Sequence, residues 1–164
     1  MKRVLGILAI ICSLFYGIQV YADQMTIKEG SKVSLEYTLT VDEQVVDTSV
    51  GKEPLQYVQG SKQIIPGLES ELAGLKVGDE KTVTVQPKDG YGEVNLNAFQ
   101  EVQRSALPLD VEPQVGMMLE MTDTDGNSFP ASITKVEKDK ITVDFNHPLA
   151  GKTLHFKIKI LKIE

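Results

Sequence analysis

Between Lys32 and Val41 the chain reads KVSLEYTLTV, and Val33, Leu35, Tyr37, Leu39 and Val41 alternate with polar residues. A period of two turns one face of an extended segment into a core, so this stretch predicts a half-buried strand. DEQ turns the chain, VVDTS continues it as a strand, and LQYV resumes with Leu55 and Tyr57 on one face and Val58 at its end. The period then changes. In IIPGLESELAGLKVGD, Leu68, Leu72 and Leu75 return at helical spacing, Pro66 suits a first turn, and Gly74 and Gly78 suit the exit. KTVTVQP goes back to alternation, with Val83 and Val85 inward.

After Gly92 the character shifts. Leu96, Phe99, Val102 and Leu107 are spaced for a short helical segment across NLNAFQEVQRSALP. MMLEMTDTDGNSFPASITKVEKDKITVDF then predicts three strands with turns at DTDGN and EKDK. In the last stretch Phe156, Ile158 and Ile160 alternate with His155, Lys157 and Lys159, and Ile163 closes the apolar set. This final strand has no partner in its own half, so it is expected to pair back with the first half, which makes the middle an insertion. The expected division is a discontinuous unit, residues 25–94 plus 147–164, interrupted by 95–146.

The first residues stand apart from this pattern. MKR is a positive start, VLGILAIICSLFYGIQV is apolar, and Ala22 offers a small cleavage residue. Residues 1–22 therefore predict a cleaved secretory signal and a periplasmic or secreted product, with a membrane anchor through residues 4–20 as the alternative. Cleavage removes Lys2, Arg3 and the only cysteine, Cys12. The remainder is then more acidic than the formal net charge of −6, can form no disulfide, and has no thiol for catalysis or metal binding. That charge argues against a nucleic-acid partner, which needs clustered Lys and Arg.

Familiar reactive constellations are missing. His147 and His155 are the only histidines, and neither has a second ligand at metal spacing. DTDGNSFPASIT imitates a calcium loop, but Gly126 comes too early and Thr134 stands where a bidentate Glu belongs. DGYGEV lacks the lysine and helix start of a phosphate loop. No metal or cofactor is expected. What remains is an apolar pocket with few polar groups.

YTL, VVDTSVGKEPLQYVQGSKQIIPGLESELAGLKVGDEKTVTVQPKDGYGEV and LAGKTLHFKIKIL together resemble the FKBP-type peptidyl-prolyl cis-trans isomerases. The split after GYGEV and the return at NHPLAG resemble the SlyD subgroup, in which a chaperone domain interrupts the flap. The resemblance implies an α+β fold: an antiparallel sheet wrapped around a short helix, with a small, mainly β insert. It implies catalytic roles for Asp47 at the rim and for Tyr91, whose hydroxyl would donate to a substrate carbonyl. It also implies a pocket of Tyr37, Val46, Leu55, Val58, Ile64, Ile65, Leu68 and Phe156, with the Ile65 N–H as donor to a bound peptide. Val46, Leu55 and Leu68 stand where small family members carry aromatics, which argues against tight macrolide binding. The chain closes on KILKIE rather than a His- and Cys-rich tail, so nickel handling is not expected.

For the insert, the resemblance implies a surface that captures unfolded chains. Leu96, Phe99, Val102, Met117, Met118, Met121, Phe129 and Ile133 are the candidates, since methionines give an adaptable apolar face. Each of these, taken alone, also suits a minimal core. The expected activity is isomerisation of X-Pro bonds in unfolded or partly folded polypeptides by a monomer. A non-catalytic holdase that only captures polypeptides is the alternative.

Overall fold

The computed structural model describes residues 25–108, 111–122 and 125–164. The leader expected at 1–22 lies outside the described residues.

Strand β1, Lys32–Val41, organises the first half, with Val33, Leu35, Leu39 and Val41 buried as its alternation requires. A tight turn at Asp42 and Glu43, both at positive φ (48° and 65°), returns the chain as β2, Gln44–Thr48. Two residues of that kind match the right-handed twist of paired strands. β2 covers the second half of β1 and β3, Leu55–Val58, covers the first half on the same side. Helix α1, Pro66–Leu72, follows with Leu68 and Leu72 buried, and then β4, Glu80–Val85.

The helix is shorter than the leucine spacing predicts. Gly74 at φ +81° reverses the chain, and Leu75 still reaches the core from the loop beyond it. The turn is fixed by the Gly74 N–H donating to the Ile27 carbonyl and the Ile27 N–H to the Leu75 carbonyl, both at 2.8 Å. Gly67 answers a different need. A Cβ there would sit 2.6 Å from Val85 Cγ1, so the helix lies against β4 closer than any side chain allows.

The closing strand, Leu154–Ile163, pairs antiparallel with both β1 and β4, as its unmatched alternation predicts. The order along the first sheet is thus β2-β1-closing strand-β4, with β3 beside β1. Its inward residues Leu154, Phe156, Ile158 and Ile160 meet Leu35, Leu39, Val83 and α1 in one apolar core.

Between the two halves of that sheet lie β5 (Phe99–Gln103), β6 (Met118–Thr122), β7 (Ser128–Val136) and β8 (Lys140–Asp144). The closing strand is β9. They form a separate antiparallel sheet in the order β5-β8-β7-β6, with its own core of Leu107, Ala131, Ile133, Ile141 and Val143. The helical segment read at residues 95–108 is instead a strand, β5, set between short 3₁₀ turns at Leu96–Ala98 and Arg104–Ala106. Apolar residues three apart fit either state. Here all of β5 from Phe99 to Gln103 pairs with β8, whose backbone would otherwise lack a partner on that side. The α+β fold class read from the sequence holds.

Candidate functional site

Four strands of the first sheet contribute to one concavity, because alternation brings side chains two apart to the same face. β1 supplies Tyr37 and Leu39, β2 supplies Asp47, β3 supplies Leu55, and β9 supplies Phe156. The loop into α1 adds Lys62, Gln63, Ile64 and Ile65, α1 adds Leu68, and Tyr91 overhangs from the loop after β4. The cleft so formed has a volume of about 420 Å³. That lies within the range of small-ligand sites, roughly 300–1,000 Å³.

Phe156 lies on β9 between its partners Leu39 of β1 and Val83 of β4, and its ring centroid is 6.3 Å from that of Tyr37 at a 55° tilt. Tyr37 is held by its backbone: its N–H donates to Ser49 Oγ at 2.9 Å, and its carbonyl accepts from the Ser49 N–H at 3.0 Å. The loop to α1 is held by Gln59, whose Oε1 accepts from the Tyr57 hydroxyl at 2.9 Å and whose Nε2 donates to the Glu69 carbonyl at 3.0 Å. Ile65 caps α1, its carbonyl accepting from the Leu68 and Glu69 N–H groups at 3.1 and 3.0 Å. Its own N–H donates to no other described residue, so a bound chain can take it.

Tyr91 stands between two glycines that do different things. Gly92 takes φ +85°, a conformation other residues rarely adopt. Gly90 keeps negative φ but packs tightly, since a Cβ there would lie 3.2 Å from Leu154 Cδ1.

The polar chemistry centres on one short hydrogen bond from the Tyr37 hydroxyl to Asp47. That bond first, with burial and the carboxylate charge behind it, pushes the Tyr37 phenol up to about 12. The same bond holds Asp47 below the usual carboxylate range; burial opposes it, while the Thr48 N–H and the Lys52 charge assist. A raised phenol contributes stability fully below its ordinary 10.0 and loses it as pH rises through about 12. A lowered carboxylate contributes above its ordinary 3.8 and loses that as pH falls through its folded value. The pair therefore stays intact across neutral pH. Tyr57 is also pushed up to about 12, chiefly by burial and then by Glu69. Phenolate absorbance titration should thus find Tyr37 and Tyr57 ionising late, and Asp47→Ala should return Tyr37 toward 10.0 while Tyr57 stays. Two unchanged late phenols in that variant would show that Asp47 does not govern Tyr37.

Eight of the ten expected site residues meet in this cleft: Tyr37, Asp47, Leu55, Ile64, Ile65, Leu68, Tyr91 and Phe156. Val46 does not. The pairing of β2 with β1 passes from Asp47 to Val45 and leaves Val46 unpaired at a bulge, where it is exposed and outside the cleft lining. Val58 lines a separate hollow with Lys32, Gln56 and Lys162. Sequence reading missed Leu39, Lys62 and Gln63. Leu39 shares the alternating face of Tyr37 and was open to inference; Lys62 sits in the left-handed region (φ 58°) of a loop without periodicity.

In the second sheet the eight expected surface residues divide. Leu96, Phe99, Met118 and Phe129 are exposed, whereas Val102, Met117 and Met121 pack half-buried against the core. Ile133, read as part of the surface, is a core residue with 1% exposure. It faces inward on β7 opposite Val143.

The profile of the family described as FKBP-type peptidyl-prolyl cis-trans isomerase matches residues 23–161. The chain belongs to that family of isomerases. It is 41% identical over 140 residues to the FKBP-type peptidyl-prolyl cis-trans isomerase SlyD of Treponema pallidum, covering 85% of this chain and 79% of that one. It is 37% identical over 153 residues to the short-type peptidyl-prolyl cis-trans isomerase of Methanocaldococcus jannaschii, covering 84% and 94%. The FKBP-type 16 kDa peptidyl-prolyl cis-trans isomerase of Escherichia coli is 35% identical over 141 residues, covering 85% and 95%.

Proposed function

We propose that this isomerase acts on X-Pro bonds of unfolded or folding polypeptides, exported by the leader at 1–22, and that its second sheet captures those chains. The cleft carries the reading: its walls are mostly aliphatic and aromatic, and its few polar groups stand at fixed positions. Rotation about X-Pro faces a barrier of roughly 18–20 kcal/mol because it breaks amide resonance, yet no bond is made or cut. No nucleophile is required. The surface has only to favour the twisted amide over both planar forms.

Leu55, Ile65, Leu68 and Phe156 offer the prolyl ring a dry seat. A twisted amide has less charge separation than a planar one, so desolvation favours it. The Ile65 N–H holds the peptide on one side of the rotating bond, and the Tyr91 hydroxyl holds a carbonyl near the flap. Asp47 fixes the Tyr37 hydroxyl, which leaves Tyr91 as the phenol free to meet substrate. A barrier lowered by about 7 kcal/mol corresponds to roughly 10⁵-fold acceleration. Exposed Leu96, Phe99, Met118 and Phe129 favour the capture role of the second sheet.

The test is a refolding reaction limited by proline isomerisation. The protein should accelerate it, and Tyr91→Phe should lower kcat/KM by up to about tenfold, the worth of one hydrogen bond. Suppression of aggregation without any acceleration would establish a holdase instead.

A further inference from the structure

Tyr91 has little of its own to hold it. Both chain neighbours are glycines, the side chain is 39% exposed, and its hydroxyl bonds to no other described residue. A tyrosine so placed would sample several χ1 wells. The ring nevertheless stacks on His147. The two rings lie face to face, with centroids 3.8 Å apart and planes 2° from parallel.

His147 is fixed by separate bonds. Its Nδ1 accepts the Leu149 N–H at 3.1 Å, and its carbonyl accepts the Ala150 N–H at 2.8 Å. One residue earlier, Asn146 clasps the outgoing loop: its Oδ1 accepts the Asn95 N–H at 2.8 Å and its Nδ2 donates to the Asn95 carbonyl at 3.0 Å. Beyond it, the Gly151 N–H donates to the Gly92 carbonyl at 2.8 Å. The chain leaving the first sheet and the chain returning to it are therefore tied on both sides of the ring pair.

We propose that His147 is a positioning residue for Tyr91, its imidazole face holding the phenol ring where the hydroxyl can reach a substrate carbonyl. The proposal rests on the role of Tyr91 given above. It assigns the loop that returns to the first sheet, between β8 and β9, a part in the chemistry although it brings no reacting group. A stacked ring pair favours the reaching conformer by about three- to tenfold over an unpartnered ring. Preorganisation of that size appears in kcat/KM.

Two substitutions separate the ring from the hydrogen bond. His147→Asn places an amide oxygen near the Nδ1 position and keeps an acceptor for the Leu149 N–H while removing the ring. His147→Phe keeps a ring and removes the acceptor. On a short X-Pro peptide, Asn should lower kcat/KM about three- to tenfold and Phe should restore most of that loss. In NMR spectra the stacked imidazole shields the Tyr91 ring protons; the upfield shift should vanish in Asn and persist in Phe. An Asn variant with full activity overturns the proposal, whatever Phe does. Where both variants lose activity, the ring shift decides: a shift unchanged in Asn overturns it, and one abolished there supports it. If Tyr91→Phe itself costs nothing, the hydroxyl role fails, and the ring shift still tests whether His147 holds the ring.

Discussion

Replacing residues 96–145 by a short turn should leave turnover of short proline peptides within about threefold of the intact chain, while catalysis of proline-limited refolding drops by roughly 10²-fold. The first half of that expectation follows from construction. The core under the cleft draws its buried residues from Ile27 to Val85 and from Leu154 to Ile163, none from the second sheet. The cut ends are already within hydrogen-bonding distance, since Asn146 bonds to both backbone groups of Asn95. A tight connection there imposes no stretch.

The second half follows from tethering. An unfolded chain held at Leu96, Phe99, Met118 and Phe129 stays near the cleft, so its prolines meet the site at a raised local concentration without any new contact in the cleft itself. A short peptide spans no such distance and gains nothing. Equal losses on both substrates would show that the second sheet supports the cleft rather than feeding it.

Where the sequence was legible and where it was not has a physical basis. Alternation in β1 and β9 was readable because both strands bury one face, and their unmatched apolar sets could only be satisfied by each other. Tyr37 and Phe156 fall on those strands, Leu55 on the alternating β3 and Leu68 on the helix stripe, so the cleft wall followed from periodicity together with family likeness. Val46 shows the limit. A bulge breaks the period of two, and neither alternation nor resemblance shows that Val46 is the extra residue of β2 that falls between the partners of Leu39 and Thr40. In the second sheet the apolar residues of β5 sit three apart, a spacing that helix and strand share, and only pairing with β8 decides between them. The His147–Tyr91 stack was beyond reach, because it joins two loops far apart in the chain that only the folded bonds between Asn95 and Asn146 and between Gly92 and Gly151 bring together.

Phe156→Ala should lower stability by about 3–5 kcal/mol, a large part of the 5–15 kcal/mol typical of a domain. It should also cut kcat/KM well beyond the effect of Tyr91→Phe. Phe156 belongs both to the core, at 5% exposure, and to the cleft wall against Tyr37. Leu72→Ala is the control. Leu72 is fully buried on α1, outside the cleft lining, and its truncation should cost about 2–5 kcal/mol. At temperatures where that variant stays folded, its kcat/KM should match the parent. Phe156→Leu completes the set: it refills most of the volume without the ring, so the denaturant midpoint should recover more than the activity does. The comparison isolates shape from stability. If Leu72→Ala and Phe156→Ala lose activity only in proportion to the unfolded fraction, the cleft wall makes no contribution of its own, and a non-covalent mechanism resting on its surface is refuted.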